Sequence, residues 1–542
     1  MLGLMQDWPL LCHRIIDHAA RIHGKQEVVT RSVEGPIVRT TYADIRTRAL
    51  KVSQQLTRNG VKFGDRVGTI AWNTARHLEC WYGIMGIGAI CHTINPRLFP
   101  EQIAWIVNHA QDKVMITDLT FVPILEKIAG QMPSIERYVV LTDRAHMPDT
   151  TLKNAVPYEE WIGAADGDFV WQDFDENTAA AMCYTSGTTG DPKGVLYSHR
   201  SNVLHALIAN NRDALGTSAQ DTMLPVVPLF HANSWGIAFS SPVMGTKLVM
   251  PGAKLDGASV YELLSTEKVT YTAGVPTVWL MLLNHMQTHN LTLPHLRMVV
   301  CGGSAMPRSM IKAFLDMGVQ ARHAWGMTEM SPLGTLSLPK PPFGELTGEA
   351  LLDLLQTQGY PPFGVQMKIT DDEGRDLPWD GRTFGRLKVR GPAIAKAYYR
   401  VDKEILDDNG FFDTGDVATI DADGYMKITD RSKDVIKSGG EWISSIELEN
   451  LAVGHPKVAE AAVIGVAHPK WDERPLLIVQ LKDGQSATKE EILAFMDGKI
   501  AKWWMPDDIA FVQAIPHTAT GKILKTALRD QFKGYALPTA AA

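Results

Sequence analysis

The sequence predicts an α/β protein: a large, multi-layer N-terminal domain followed by a small α+β C-terminal domain. Three observations carry that expectation. Apolar runs of strand length alternate with stretches of helical spacing through the first part of the chain. After Pro361 and Pro362 these give way to short runs set off by Gly and Asp. The length of 542 residues also exceeds what one ordinary hydrophobic core organises.

In order along the chain, Ile15 to Ile22 has helical spacing, and Thr41 to Leu56 repeats it after a Thr-Thr pair able to cap a helix start. VGTIAW at 67–72, KVMITD at 113–118 and YVVLTD at 138–143 read as strands. The pattern returns in KLVMPG (247–252), VTYTAG (269–274) and LRMVVCGG (296–303), where glycine ends mark common places for ligand loops. A helix is expected from near Ser201, with Val203, Leu204, Leu207 and Ile208 on its buried face. Pro339, Pro341 and Pro342 mark a loop ahead of a surface helix, and QMKITD, GRLKVRG and GYMKITD then predict a small β-rich unit. Beyond DRSKD, AEAAVIGVA and LLIVQL read as strands and KEEILAFMDGKIAKWW as a helix. The expected domains are therefore 1–429 and 435–542, joined at 430–434, with no internal repeat or low-complexity tract.

Composition narrows the function classes. With 45% hydrophobic and 21% charged residues the chain is globular, and a net charge of -7 argues against a general nucleic-acid-binding surface. Five cysteines without a C-x-x-C pair read as reduced, buried thiols, which points to a cytoplasmic protein. The N-terminus lacks a basic segment ahead of an apolar core and is interrupted by Asp7, His13 and Arg14, so it does not read as a signal peptide. No run of about 18 uninterrupted apolar residues predicts a membrane span.

The stretch YTSGTTGDPKG, Tyr184 to Gly194, concentrates three glycines, four hydroxyl side chains and a lysine. Glycines let backbone N–H groups approach an anion, hydroxyls donate to it and a lysine neutralises it, so the composition points to phosphate. It is not a Walker loop, because Pro192 precedes Lys193 and Gly194 follows it, and strand-like AAAMCY and VLYSH flank it on both sides. No Gly-x-Gly-x-x-Gly follows a strand, GGSAM lacks the last glycine of a serine-hydrolase elbow, and HMQTH lacks the glutamate of a zinc peptidase.

This loop resembles the phosphate loop of the adenylate-forming superfamily, which includes acyl-CoA synthetases, luciferases and the adenylation domains of peptide synthetases. WGMTE at 325–329, TGD at 414–416, DRSKDVIKSGGEW at 430–442 and TATGKI at 518–523 match further motifs in the same order, from about residue 25 to residue 535. The resemblance implies the adenylate-forming enzyme fold and an ATP-dependent, AMP-forming acyl-CoA ligase. A carboxylate attacks the α-phosphate of ATP to give an acyl adenylate and pyrophosphate, and coenzyme A then displaces AMP.

Residue by residue, the resemblance implies that Thr185, Ser186, Gly187, Thr188, Thr189, Gly190 and Lys193 hold the phosphates. Gly303, Ser304, Ala324, Trp325, Gly326, Met327 and Thr328 hold the nucleotide, with Trp325 where tyrosine is commoner and Thr328 at the α-phosphate. Asp416 and Arg431 take the ribose hydroxyls. Glu329 and Thr185 hold Mg2+, an oxygen set suited to a hard cation. Lys522, in IPHTATGK with His517 in place of the usual basic residue, stabilises the charge that builds during adenylation. Lys433 is the hinge of a domain rotation, although a plain charged turn fits the composition of DRSKD equally well. After rotation Ser438, Gly439, Gly440, Glu441 and Trp442 admit coenzyme A, and Lys437 assists its thiol, which is mostly un-ionised at neutral pH.

His231 and Trp235 match the segment bordering the acyl pocket, with Gly302 giving the acyl chain close backbone approach. Taken alone, a His four residues before a Trp reads as a core pair on one helix face. Trp442, HPKW and IAKWWMP resemble medium- and long-chain synthetases, and WGMTEMSPLGT the subgroup that includes 3-methylmercaptopropionyl-CoA ligases. Met306, Met327 and Met330 suit a flexible alkyl or thioether chain. The expected substrate is a short- to medium-chain carboxylic acid, with 3-methylmercaptopropionate as a candidate. A long-chain acid, or transfer to a carrier protein, is the alternative. The same resemblance implies a homodimer.

Overall fold

The computed structural model describes residues 1, 3–185, 192–431, 434–439, 441–517 and 523–541, with the backbone alone for 441, 442 and 541. Two large sheets organise the chain up to Leu336. In the first, of seven strands, the order runs Val156–Pro157, Arg137–Val140, Asp112–Thr117, Arg66–Ile70, Ile90–Thr93, Ala179–Tyr184, Gly194–Ser198. Every neighbouring pair is parallel except the last two strands, which form an antiparallel hairpin. The second sheet has eight strands, running from Leu333–Leu336 through Gln320–Gly326, Met298–Cys301, Tyr271–Gly274, Thr222–Pro225, Lys247–Met250 and Glu27–Arg31 to Ile37–Thr41. Its pairs are parallel except at the two edges.

Helices cover these sheets as a parallel arrangement requires. Tyr42–Arg58 starts at a capping box in which the Thr41 side chain accepts from the Asp44 N–H, so the Thr-Thr signal marks its start. Ala75–Gly86 is buried at every position except Arg76, which suits the apolar run of its second half, Cys80 to Gly86. The helix expected near Ser201 spans His199–Ala209, but its buried face is rotated from the expected one: His199, Asn202, Val203, His205, Ala206 and Ala209 are inside. Leu207 is 48% exposed, because small and polar residues rather than the leucines fit against the neighbouring elements.

After Pro361 the β-rich unit is a four-stranded antiparallel sheet of Gln366–Thr370, Gly385–Arg390, Phe412–Ile420 and Met426–Arg431. The C-terminal sheet joins Glu441–Ile443, Ile436–Ser438, Asp472–Leu481 and Val458–His468, with Asp508–Val512 added parallel to Asp472–Leu481. The long helix expected from KEEILAFMDGKIAKWW is shorter than predicted. It covers Lys489–Met496 and stops at Asp497, where Gly498 turns left-handed (φ +74°). All five cysteines are free and buried. Among the described residues no helix is long and apolar enough to cross a membrane.

Candidate active site

A cavity of about 620 Å³ lies where the two large sheets, the four-stranded sheet and the C-terminal unit meet, with Thr93, Ala273 and Arg386 from the sheets and Lys525, at the start of the helix Lys525–Gln531, contributing to its wall. The antiparallel hairpin of Ala179–Tyr184 and Gly194–Ser198 carries the glycine loop at its tip. Two bonds close the neck of that loop: the Thr185 N–H donates to the Lys193 carbonyl at 2.9 Å, and the Lys193 N–H to Thr185 Oγ1 at 3.2 Å. Thr185 and Lys193 both line the cavity. Ser186, Gly187, Thr188, Thr189 and Gly190 lie outside the described residues.

The stretch Ala324 to Glu329 also lines the cavity with every residue. The strand Gln320–Gly326 delivers this stretch, and a one-turn 3-10 helix, Thr328–Met330, ends it. The Thr328 carbonyl accepts from Tyr197 Oη at 2.7 Å, which ties the turn back to the hairpin of the glycine loop. Glu329 is 6% exposed, and its Oε1 accepts from Tyr398 Oη at 2.6 Å. Burial, and then the neighbouring Glu329 charge, raise the Tyr398 phenol, so it remains a neutral donor.

Trp325 borders the cavity and donates its Nε1–H to Asp416 Oδ2 at 2.9 Å. Arg431 pairs with the other oxygen, Asp416 Oδ1, also at 2.9 Å. Asp416, 3% exposed, therefore stands behind a wall of Thr414, Gly415 and Arg431 rather than in it. The structure brings the expected ribose pair together but holds its carboxylate already engaged on both sides.

His231 and Trp235 line the cavity, and they are not a pair on a helix face. Ala232, Asn233, Ser234 and Trp235 all have φ between +42° and +55°, a left-handed turn that swings the indole across the floor. Gly302 completes that floor: a Cβ there would stand 3.0 Å from Trp235 Cη2 and 3.1 Å from the Ala324 carbonyl oxygen. Gly303 also lines the cavity, whereas Ser304 is exposed and lies outside the lining among the described residues. Of the three methionines expected around the substrate only Met327 reaches the cavity. Met306 and Met330 are 0% and 1% exposed and fill hydrophobic cores, Met306 beneath the helix Arg308–Asp316 and Met330 under the four-stranded sheet.

Two contributors had no motif to announce them. Tyr398 belongs to KAYYR, an aromatic pair in an irregular segment. His205 backs the floor, its Nε2 accepting from the Leu333 N–H at 3.1 Å, and burial lowers its imidazole to about 4. A neutral ring is what an acceptor nitrogen requires.

The C-terminal unit meets the cavity through Ile523, Leu524, Lys525 and Thr526, directly after Lys522, which lies outside the described residues. Lys525 pairs with Glu449 at 2.7 Å and donates to Ser445, whose N–H in turn donates to Asp430 at 2.9 Å. Burial alone would lower the Lys525 ammonium, but Glu449 and Asp430 outweigh it and raise it. Lys437 does not share this surface. It is exposed on Ile436–Ser438, its N–H bonded to Glu473 Oε2 at 3.0 Å, and it is not among the cavity residues. Ser438 is buried and accepts from Arg474 at 3.1 Å. Gly439 takes φ +60°, and a Cβ there would approach the Trp471 ring to 2.9 Å. Glu441 and Trp442 pair in register with Ser438 and Lys437, while Gly440 and the expected hinge residue Lys433 lie outside the described residues.

Comparison with known proteins fits this geometry. Residues 16–399 match the model of the AMP-binding enzyme family and residues 447–522 that of the AMP-binding enzyme C-terminal domain. The chain is 51% identical to a 3-methylmercaptopropionyl-CoA ligase of Ruegeria lacuscaerulensis, over 98% of this chain and 99% of that one. It is 47% identical to a medium-chain-fatty-acid–CoA ligase of Ectopseudomonas oleovorans, over 98% of each. Among solved structures, an anthranilate CoA ligase in complex with anthranoyl-AMP superposes with a TM-score of 0.85 at 27% identity, covering 97% of this chain and 99% of that one. The chain belongs to the AMP-binding enzyme family.

Proposed function

We propose that the protein is an AMP-forming acyl-CoA ligase that activates a short- to medium-chain carboxylic acid, with 3-methylmercaptopropionate as the leading candidate. The observation that carries this reading is the composition of one cavity. A phosphate-loop neck and a buried carboxylate stand on one side of it, and an aromatic floor closed by Gly302 on the other. A triphosphate and an apolar acid would meet between them.

The residues present fit a magnesium ion. Thr185 and Glu329 offer oxygen donors on the same cavity, and among the described residues no group of three or more His, Cys, Asp or Glu forms a protein cage. That suits a cation which keeps its waters and takes most of its ligands from substrate phosphates. Bound there, it would neutralise phosphate charge.

The chain's own residues would do the following. The hairpin loop and Lys193 bind the β- and γ-phosphates, and Thr328 orients the α-phosphate. Trp325 lies against the base, and Arg431 and Asp416 take the ribose once it enters between them and breaks their present pairing. His231, Trp235 and Gly302 align the acid so that its carboxylate faces phosphorus rather than water. Lys522 stabilises the charge of that approach, and pyrophosphate leaves. Rotation at Lys433 then brings Lys437 and the glycine turn to the adenylate, where coenzyme A thiol attacks the carbonyl and AMP departs. A homodimer acting in the cytoplasm completes the proposal, and light scattering on the purified protein reads its mass.

Pyrophosphate release with ATP and magnesium, across acids from acetate through 3-methylmercaptopropionate and butyrate to palmitate, with and without coenzyme A, tests the reading. Acid-dependent release that ends in AMP and an acyl-CoA supports it. Release favouring palmitate moves the substrate to long chains, and no release from folded, ATP-binding protein removes the ligase assignment.

A further inference from the structure

The segment 395–399 is stitched to both halves of the cavity. The Ala395 N–H donates to the Glu329 carbonyl at 2.7 Å, and the Tyr399 N–H to the Gly194 carbonyl at 2.8 Å. Tyr398, between these two bonds, packs with Ala395 on Ala181, Cys183, Val195 and Tyr197, the core of the hairpin that carries the glycine loop. Its hydroxyl is 2.6 Å from Glu329 Oε1, and the Lys193 ammonium lies 5.0 Å from the centre of its ring. One side chain thus touches the candidate metal carboxylate with its polar tip and the phosphate-loop lysine with its face.

The geometry points to Tyr398 as a positioning residue that fixes Glu329 in the orientation a divalent cation needs and holds it in register with Lys193. Donation to Oε1 fixes the rotamer of the carboxylate and leaves its second oxygen to serve as a cation ligand. The ring face attracts the lysine, so the two charges that would grip the triphosphate share one support. This inference rests on the reading of Glu329 as the metal ligand.

The test is Mn2+ affinity, read by electron paramagnetic resonance on the full-length protein saturated with a non-hydrolysable ATP analogue. Wild type is compared with Tyr398→Phe, Glu329→Asp, the double variant and Glu329→Gln. Tyr398→Phe keeps the ring and its contact with Lys193 but removes the hydroxyl, so Mn2+ binding should weaken by about tenfold, the usual effect of losing an outer partner of a metal ligand. Glu329→Asp withdraws the carboxylate from the phenol, so the double variant should bind no more weakly than the weaker single variant. Wild-type affinity in Tyr398→Phe, or additive losses in the double variant, overturns the inference. Unchanged affinity in Glu329→Gln instead rejects Glu329 as the ligand, which separates the two failures. The free Mg2+ needed for half-maximal pyrophosphate release should rise in parallel in Tyr398→Phe, with the KM for the acid unchanged.

Discussion

The two lysine-bearing stretches of the C-terminal unit face different ways, and under the proposed mechanism that contrast would separate the two half-reactions. Residues 523–526 form part of the cavity wall, anchored through the Lys525 pair with Glu449. Lys437 sits on an exposed hairpin whose own hydrogen bonds run to Glu473 and Trp471, inside the C-terminal unit. This orientation presents the segment next to Lys522 and withholds the turn expected to receive coenzyme A. By contrast, Glu329, Trp235 and Gly302, in the N-terminal part, are held among the described residues by Tyr398, by one another and by Ala324. The lesson is that the N-terminal walls would serve both half-reactions, whereas the C-terminal unit would supply its two lysines one at a time.

The largest test removes the first lysine. Lys522→Ala should slow acid-dependent pyrophosphate release by at least about a hundredfold, roughly 3 kcal/mol of transition-state stabilisation, while supplied acyl adenylate is still converted to acyl-CoA. Equal loss of both half-reactions would break the comparison.

The joint comes next. Lys525→Met leaves Glu449 and Asp430 largely buried beside no cation, so calorimetry should show the C-terminal unit destabilised by about 3 kcal/mol. An unchanged melting profile would mean that the cluster does not anchor the cavity-facing segment.

The shared floor is probed by Gly302→Val. With Trp235 Cη2 already 3.0 Å from the position of a first side-chain carbon, overpacking of about 2 kcal/mol should lower kcat/KM for the acid about thirtyfold. The affinity for ATP should stay near wild type, which equilibrium binding can check. A smaller effect is expected from Lys437→Ala: about a tenfold slower thioester step from supplied adenylate, with pyrophosphate release intact, as for loss of one charge-assisted contact.

The last test concerns acid stability, where the effect accumulates only as pH falls. Burial holds the His205 imidazole near 4 against an ordinary 6.5, so the unfolded chain takes up the proton first. Stability is therefore lost as pH falls from about 6.5 towards 4, by roughly 1.4 kcal/mol per pH unit for this group. His205→Gln keeps an acceptor for the Leu333 N–H and should flatten the slope of denaturation free energy against pH by that amount.

What the sequence determined by itself was whatever depends on local order. The Thr41 cap, the strands Asp112–Thr117 and Met298–Cys301 and the strand–loop–strand setting of YTSGTTGDPKG are all written in neighbouring residues. The motif residues Thr185, Lys193, Trp325, Thr328 and Glu329 were legible because short motifs fix short backbone shapes, and the fold brings them to one cavity.

Only the tertiary structure decided what each side chain touches. Leu207 reads as a core residue yet faces solvent, because the neighbouring elements accept smaller groups. Met306 and Met330 sit beside motif glycines and threonines in the chain but face away from the cavity. Tyr398, 69 residues from Glu329, had no local signal, since its hydrogen bond comes from the packing of an irregular segment against the Thr328–Met330 turn rather than from any pattern along the chain. Periodicity encodes which face of an element is apolar; which partner that face meets is set by the shape and volume of the packed elements around it.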